Sequence, residues 1–245
     1  MNLRRFLIAL SGIVVASGGS IATAQAQTAL DPVRSGWVNG LGFSSFNPIN
    51  QNYIAGQFLL AEYRNFFVFD LTGVSGMITS ATLDLYNPTA AVDFGNGYAG
   101  QATETYRLTS TSIAPGALSN NFGLLGGLVT FSTLGTGSLF ASVTASSASN
   151  GQTLSLNFNS AGLAYLNANR GNLVAFGGRV STLNGITNQY FFANTNPTGT
   201  NSLPTTAPVK LNLQVTPEVP AGVQAVPVLL AVAGMALYQR RKKAS

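Results

Sequence analysis

The chain contains no cysteine and no histidine. Without cysteine there is no disulfide framework and no thiolate metal site. Without histidine, a Ser-His-Asp triad and imidazole-ligated zinc are excluded. Charge is scarce as well: 8% of the 245 residues are Asp, Glu, Lys or Arg. The formal net charge of +5 belongs to the ends of the chain. Arg4 and Arg5 stand at one end, and Arg240, Arg241, Lys242 and Lys243 at the other. The other six basic residues (Arg34, Arg64, Arg107, Arg170, Arg179 and Lys210) meet all seven acids, so the body carries about −1. That is no electrostatic footprint for nucleic acid, and no nucleic-acid partner is expected. Strongly periodic helical runs are few, whereas Gly, Asn, Ser and Thr are abundant. This mixture favours many short strands joined by turns.

What is present is organised around residues 64–87, RNFFVFDLTGVSGMITSATLDLYN. Phe67, Phe69 and Leu71 fall on one face of a first strand, and Phe66, Val68 and Asp70 on the other. In a second strand Ala81, Leu83 and Leu85 share one face, and Thr82, Asp84 and Tyr86 the opposite one. A period of two in β-branched and aromatic residues is a strand signal. The turn-rich link at 72–76 predicts an antiparallel hairpin.

Further strands are expected near residues 36–41, 53–60, 104–111, 138–145, 153–158, 172–180, 189–193 and 209–215. The last of these is expected at a sheet edge, where it is free to pair with other copies. Residues 27–52 otherwise read as loop, and 113–127 as turn-rich. One helix is expected at 161–169, capped by Asn159 or Ser160 and ended by Gly171. Gly177 and Gly178 read as turn or bulge glycines. The fold class is therefore all-β: a jelly-roll-like antiparallel β-sandwich at 27–215 with one short helix.

Both ends read as processing segments. Residues 1–26 have a charged start, an apolar run at 6–16 and small-x-small sites at Ala22-Thr23-Ala24 and Ala24-Gln25-Ala26. This is a secretory signal peptide for the general secretory route, with cleavage expected after Ala26. At the other end Pro217-Glu218-Val219-Pro220 precedes a mostly apolar run at 221–238 and the basic cluster Arg240, Arg241, Lys242 and Lys243. Eighteen residues lie near the lower limit of a membrane span, and the cations hold that end in the cytoplasm. A C-terminal transmembrane helix is expected.

The order of this tail, Pro217, Glu218 and Pro220, then the apolar helix, then the basic end, resembles the PEP-CTERM sorting domain of bacterial exported proteins. The resemblance implies a membrane exosortase as processing partner, an inner-membrane-anchored precursor, and delivery to the cell surface or extracellular matrix. The body is similar to exported proteins of that group with a jelly-roll-like sandwich, through residues 66–88 and 137–183. The resemblance brings no catalytic residues with it.

Two kinds of chemistry remain to be weighed. Asp70 and Asp84, on strands expected to pair, would face one another, and like charges so placed call for a cation or a shared proton. Calcium, with Asp93 or Asn96 adding oxygen ligands, is one reading. Ion pairs to Arg64, Arg107 or Arg179 at the rim are the other. Trp37, Tyr53, Tyr63, Tyr86, Tyr98, Tyr106 and Tyr190 supply rings for stacking against sugars, or else core. Trp37, Tyr86 and Tyr98 are the candidate ligand residues. The expected function is a non-catalytic structural or adhesive role at the cell surface. A carbohydrate-binding module for exopolysaccharide is the alternative, and a polysaccharide-active enzyme a third class.

Overall fold

The structure, a computed structural model, describes residues 25–45, 52–89, 97–118, 122–185, 188–193 and 209–216. In chain order the elements are β1 (Ala26–Leu30), β2 (Pro32–Asn39), β3 (Ala55–Phe58), β4 (Ala61–Asp70), β5 (Met77–Asn87) and β6 (Glu104–Ser110). There follow α1 (Gly123–Thr133), β7 (Leu139–Ala145), β8 (Gln152–Asn157), α2 (Ser160–Ala168), β9 (Leu173–Val180), β10 (Asn188–Phe191) and β11 (Val209–Thr216). They form two sheets in which all described pairings are antiparallel. One sheet has the order β1-β11-β5-β8. The other has the order β10-β3-β4-β9-β6-β7, with β2 also paired to β4.

Alternation explains how the sheets face each other. In β11, Val209, Leu211, Leu213 and Val215 are buried, while Lys210, Asn212 and Gln214 between them are not. Leu83 and Leu85 of β5 and Leu154 and Leu156 of β8 join them from the same sheet. Phe67 and Phe69 of β4, Tyr106 and Leu108 of β6, and Val174 and Phe176 of β9 close the core from the other side. α2 lies where the sequence places it. The side chain of Asn159 accepts from the Gly162 N–H at 2.9 Å, and Gly171 takes a left-handed φ of 77°. Leu166 is buried in the core, with Leu163 and Tyr165 packed at its margin.

The expected hairpin is not formed. β4 and β5 belong to different sheets, and residues 71–76 arch across the end of the sandwich. The physical reason lies in the link, where Leu71 and Val74 are buried in the main core. A hairpin turn would leave both in water. The arch is fixed by Gly76, at φ 97°, where a Cβ would come within 2.2 Å of the Thr216 carbonyl oxygen.

Three further expectations are corrected. Residues 27–52 hold most of β1 and all of the eight-residue β2, which begins four residues before the strand expected near 36–41. β11 is interior, flanked by β1 and β5, because β1 covers the edge on which it was expected to lie. And among the described residues there are two α-helices, since α1 begins within the segment 113–127 that reads as turns and runs on to Thr133.

α1 packs in an unusual way. Its buried residues are Gly127 and Thr130. A Cβ on Gly127 would fall 1.9 Å from the Gly42 carbonyl oxygen, so the helix backbone rests directly on the loop after β2. Leu124, Leu125, Leu128 and Val129 point outward, Leu125 with 78% of its surface exposed. Phe122, just before the helix, and Phe131, in its last turn, pack against the cluster of Leu118, Leu134, Phe66 and Val68. β4 is therefore covered on both faces.

The ends of the described body share one pole. Ala26 pairs with Val215, and Thr216 pairs with Met77 beyond the 71–76 arch. The α1 side lies toward the other pole, where the Gly40 N–H donates to the Glu62 carbonyl at the start of β4. The ten residues of β4 separate the two poles by roughly 30 Å.

Candidate ligand-binding faces

The outer face of the four-stranded sheet is polar by construction. Each strand that turns leucines inward turns hydroxyls and carboxamides outward. β5 supplies Thr82, Asp84 and Tyr86, β11 supplies Lys210, Asn212 and Gln214, and β8 supplies Thr153, Ser155 and Asn157. The register places Asp84 between Lys210 and Ser155, and Thr82 between Asn212 and Asn157. The Ser155 hydroxyl donates to Asp84 Oδ1 at 2.6 Å, and Asn212 Nδ2 donates to Asp84 Oδ2 at 2.7 Å. Thr82 Oγ1 donates to Asn157 Oδ1 at 2.9 Å. Lys210 pairs with Asp31 at 2.6 Å. Around these groups runs an open groove of about 540 Å³, lined by Gln27, Ser80, Thr82, Asp84, Ser155, Asn157, Asn212, Leu213 and Gln214. Carboxamides and hydroxyls offer donor and acceptor together, which suits the hydroxyl pairs of a sugar ring. Tyr86, opposite Thr153, stands half-exposed at the end of this face.

The carboxylates are not brought together. Asp70 ends β4 in one sheet and Asp84 sits mid-strand in the other, so the expected facing pair does not exist. Asp70 accepts the Thr72 N–H at 2.8 Å, and this bond holds its carboxyl below the usual range. Neither acid meets Arg64, Arg107 or Arg179, because Arg64 pairs with Glu62 at 2.8 Å and donates to the carbonyls of Phe131 and Leu134. Asp93 and Asn96 lie outside the described residues. Among the described residues no three acids cluster as a metal site would require.

The aromatic candidates separate into three groups. Tyr53, Tyr98 and Tyr106 are core. Tyr98 is corrected as a ligand residue: its ring packs on Phe191 at 5.3 Å and its hydroxyl donates to the Gln101 carbonyl. Burial pushes its phenol up, and does so for Tyr53 and Tyr106 as well. Trp37, Tyr63 and Tyr190 meet with Phe58 on the seven-stranded sheet. Trp37 lies 5.0 Å from Tyr63, and Phe58 lies 5.5 Å from Tyr190. Their rings pack edge to face, so they do not form a flat platform. Tyr86 alone stands on the polar face.

That the groups around Asp84 point outward is legible in the sequence. The alternations VKLNLQV and TLSLNF place Lys210, Asn212, Ser155 and Asn157 on outward positions. What alternation leaves open is which strands are neighbours. Ala26 begins β1, while Ala24, Pro217, Glu218, Pro220, Arg240, Arg241, Lys242 and Lys243 lie outside the described residues. No family model matches the chain, and no curated protein matches it in sequence.

Proposed function

We propose that this chain is an exported, non-catalytic β-sandwich with a structural or adhesive role at a bacterial cell surface or in its matrix. In this reading residues 1–26 direct export, and the tail from 216 anchors the precursor for an exosortase-type enzyme before release. Counting β1, β4, β5, β6, β7, β8, β9 and β11 as eight successive strands, the sheet orders are 1-8-3-6 and 2-7-4-5. That order supports the jelly-roll reading.

The observation that carries the adhesive role is the outer side of α1. With Leu41 and Phe43 beside it, its four outward residues expose an apolar surface of roughly 600 Å², the upper end of what a monomer shows. No charged residue lies on α1. The partner that fits it is a second copy, because two uncharged faces meet without repulsion. Ala26 and Thr216, the ends of the described body on this side, lie at the far pole. Sedimentation of the full chain is expected to show a concentration-dependent dimer, and Leu125→Lys a monomer with unchanged melting. A monomer at all concentrations would count against adhesion by self-association.

A second reading, polysaccharide binding, is favoured by the groove lined by Asp84 and Asn212, with Tyr86 farther along the same face. Tyr86→Ala and Asn212→Ala are then expected to weaken retention on polysaccharide beads, while Trp37→Ala, packed against Tyr63 elsewhere, leaves it unchanged. Turnover of a polysaccharide abolished by Asp84→Asn would replace both readings with catalysis.

A further inference from the structure

The charged side chains of the described body can be accounted for one by one. Asp31 pairs with Lys210, and Glu62 with Arg64. Asp70 is held by the Thr72 N–H, and Asp84 by Ser155 and Asn212. Glu104, fully buried, accepts from Gln189 Nε2 at 2.7 Å, from the Thr182 hydroxyl and from the Gln101 N–H. Arg34 donates to the carbonyls of Gly116 and Leu118, and Arg170 to those of Gly76 and Asn167. Among the described residues two cations are left, Arg107 and Arg179, with neither an ion pair nor a hydrogen bond.

These two stand directly opposite each other. Arg107 of β6 is the cross-strand partner of Arg179 of β9, on the face turned away from the core residues Tyr106, Leu108 and Phe176. Opposed side chains start about 5 Å apart, and like charges there destabilise a sheet. The cost is larger for Arg179, whose Nε is buried without an acceptor. Its stem is pinned by Gly135, where a Cβ would come within 2.6 Å. Arg64 lies one residue beyond the neighbouring Asn65–Gly178 pair, with its charge met by Glu62. Ser142 faces Arg107 across the other edge, and the hydroxyls of Thr105 and Thr144 meet at 3.0 Å two residues along the same face.

We propose that Arg107 and Arg179 form a binding site for an oxyanion, and that its ligand is an acidic polysaccharide held through a uronate carboxylate or a sulfate ester. An oxyanion between the two guanidiniums removes their repulsion. The forked donors of arginine match a carboxylate or sulfate in two-point geometry. The hydroxyls of Ser142, Thr105 and Thr144 beside the pair suit a sugar ring better than an acyl chain or a nucleobase. The choice of polysaccharide rests on the surface reading above, whereas the oxyanion site does not.

The test is retention of the full chain on polygalacturonate beads, with dextran beads as the neutral control and dextran sulfate as the ester. Retention is expected on an acidic bead and not on dextran, and it weakens as salt rises. Arg107→Gln and Arg179→Gln are each expected to lower it by about tenfold. Their melting temperatures are expected to equal or exceed that of the parent, because each removes one of two opposed charges. This readout separates a lost site from a lost fold. Retention on dextran sulfate alone assigns the ester as the oxyanion. Equal retention of the parent and both variants overturns the proposal, and so does equal retention on dextran. Capture by phosphatidylglycerol vesicles with none on either acidic polysaccharide overturns the choice of ligand. A chain that keeps its C-terminal tail in its host would sink the surface reading and leave the oxyanion site standing.

Discussion

At the residue scale the core is keyed by a polar triangle inside an aromatic shell. Tyr106 donates to Asn65 Oδ1 at 2.7 Å, and Asn65 Nδ2 donates to the Tyr53 carbonyl at 2.7 Å. Gly178 makes room for them: a Cβ there would lie 1.8 Å from the Tyr106 hydroxyl oxygen. Gly177 and Gly178 therefore sit inside β9 as regular strand positions and are not the turn or bulge that their sequence suggests. Nothing local to NLVAFGGRV announces a tyrosine from β6 and an asparagine from β4. Gly178→Ala is expected to cost about 3 kcal/mol through overpacking, seen as a lower melting temperature. Tyr106→Phe leaves the Asn65 acceptor buried and unpaired, at a cost of about 1–3 kcal/mol. The same burial sets an alkaline limit. The phenols of Tyr53 and Tyr106 are raised above their ordinary value near 10. Above about pH 10 the unfolded chain releases these protons while the native state keeps them, so stability falls as pH rises. Part of the tyrosine absorbance change should then appear only together with loss of near-ultraviolet dichroism. Ionisation of all eight tyrosines in a fold that stays intact would contradict this.

At the element scale, what was legible followed the strength of local signals. The strands came through because leucine and valine alternate with polar residues in β5, β8 and β11, and that alternation needs one buried face. α2 came through because Asn159 and Gly171 mark its ends. Asn159→Ala is expected to cost about 1 kcal/mol by unfolding in urea. α1 was invisible for the opposite reason. It docks through Gly127 and Thr130 and turns its leucines outward, so GLLGGLVTFST shows no inward apolar stripe. The docking predicts a contrast between two substitutions. Gly127→Leu should displace the helix from Gly42 and lower stability by several kcal/mol, whereas Leu125→Lys should change it by less than about 0.5 kcal/mol. The hairpin expected at 64–87 is not legible as an arch, because a five-residue link suits either a turn or an arch. Only the burial of Leu71 and Val74 decides between them.

At the scale of the whole molecule, the sandwich presents several chemically distinct surfaces. The ends of the described body lie side by side at one pole, where β1 pairs with β11. The apolar side of α1 lies toward the other. The polar groove and the arginine pair occupy the outer faces of opposite sheets. Of these surfaces, sequence reasoning reached Asp84 and Tyr86 but not their neighbours, since cross-strand partners depend on pairing order and not on local pattern. The central claim is that this body is an exported module, released from a tail that anchors its precursor. The most direct test is intact mass with terminal peptide mapping of the protein recovered from its host. The account predicts a species starting near Gln27 and ending between Pro217 and Pro220. A species that retains the signal residues before Ala24, or the basic end from Arg240 to Lys243, would contradict it.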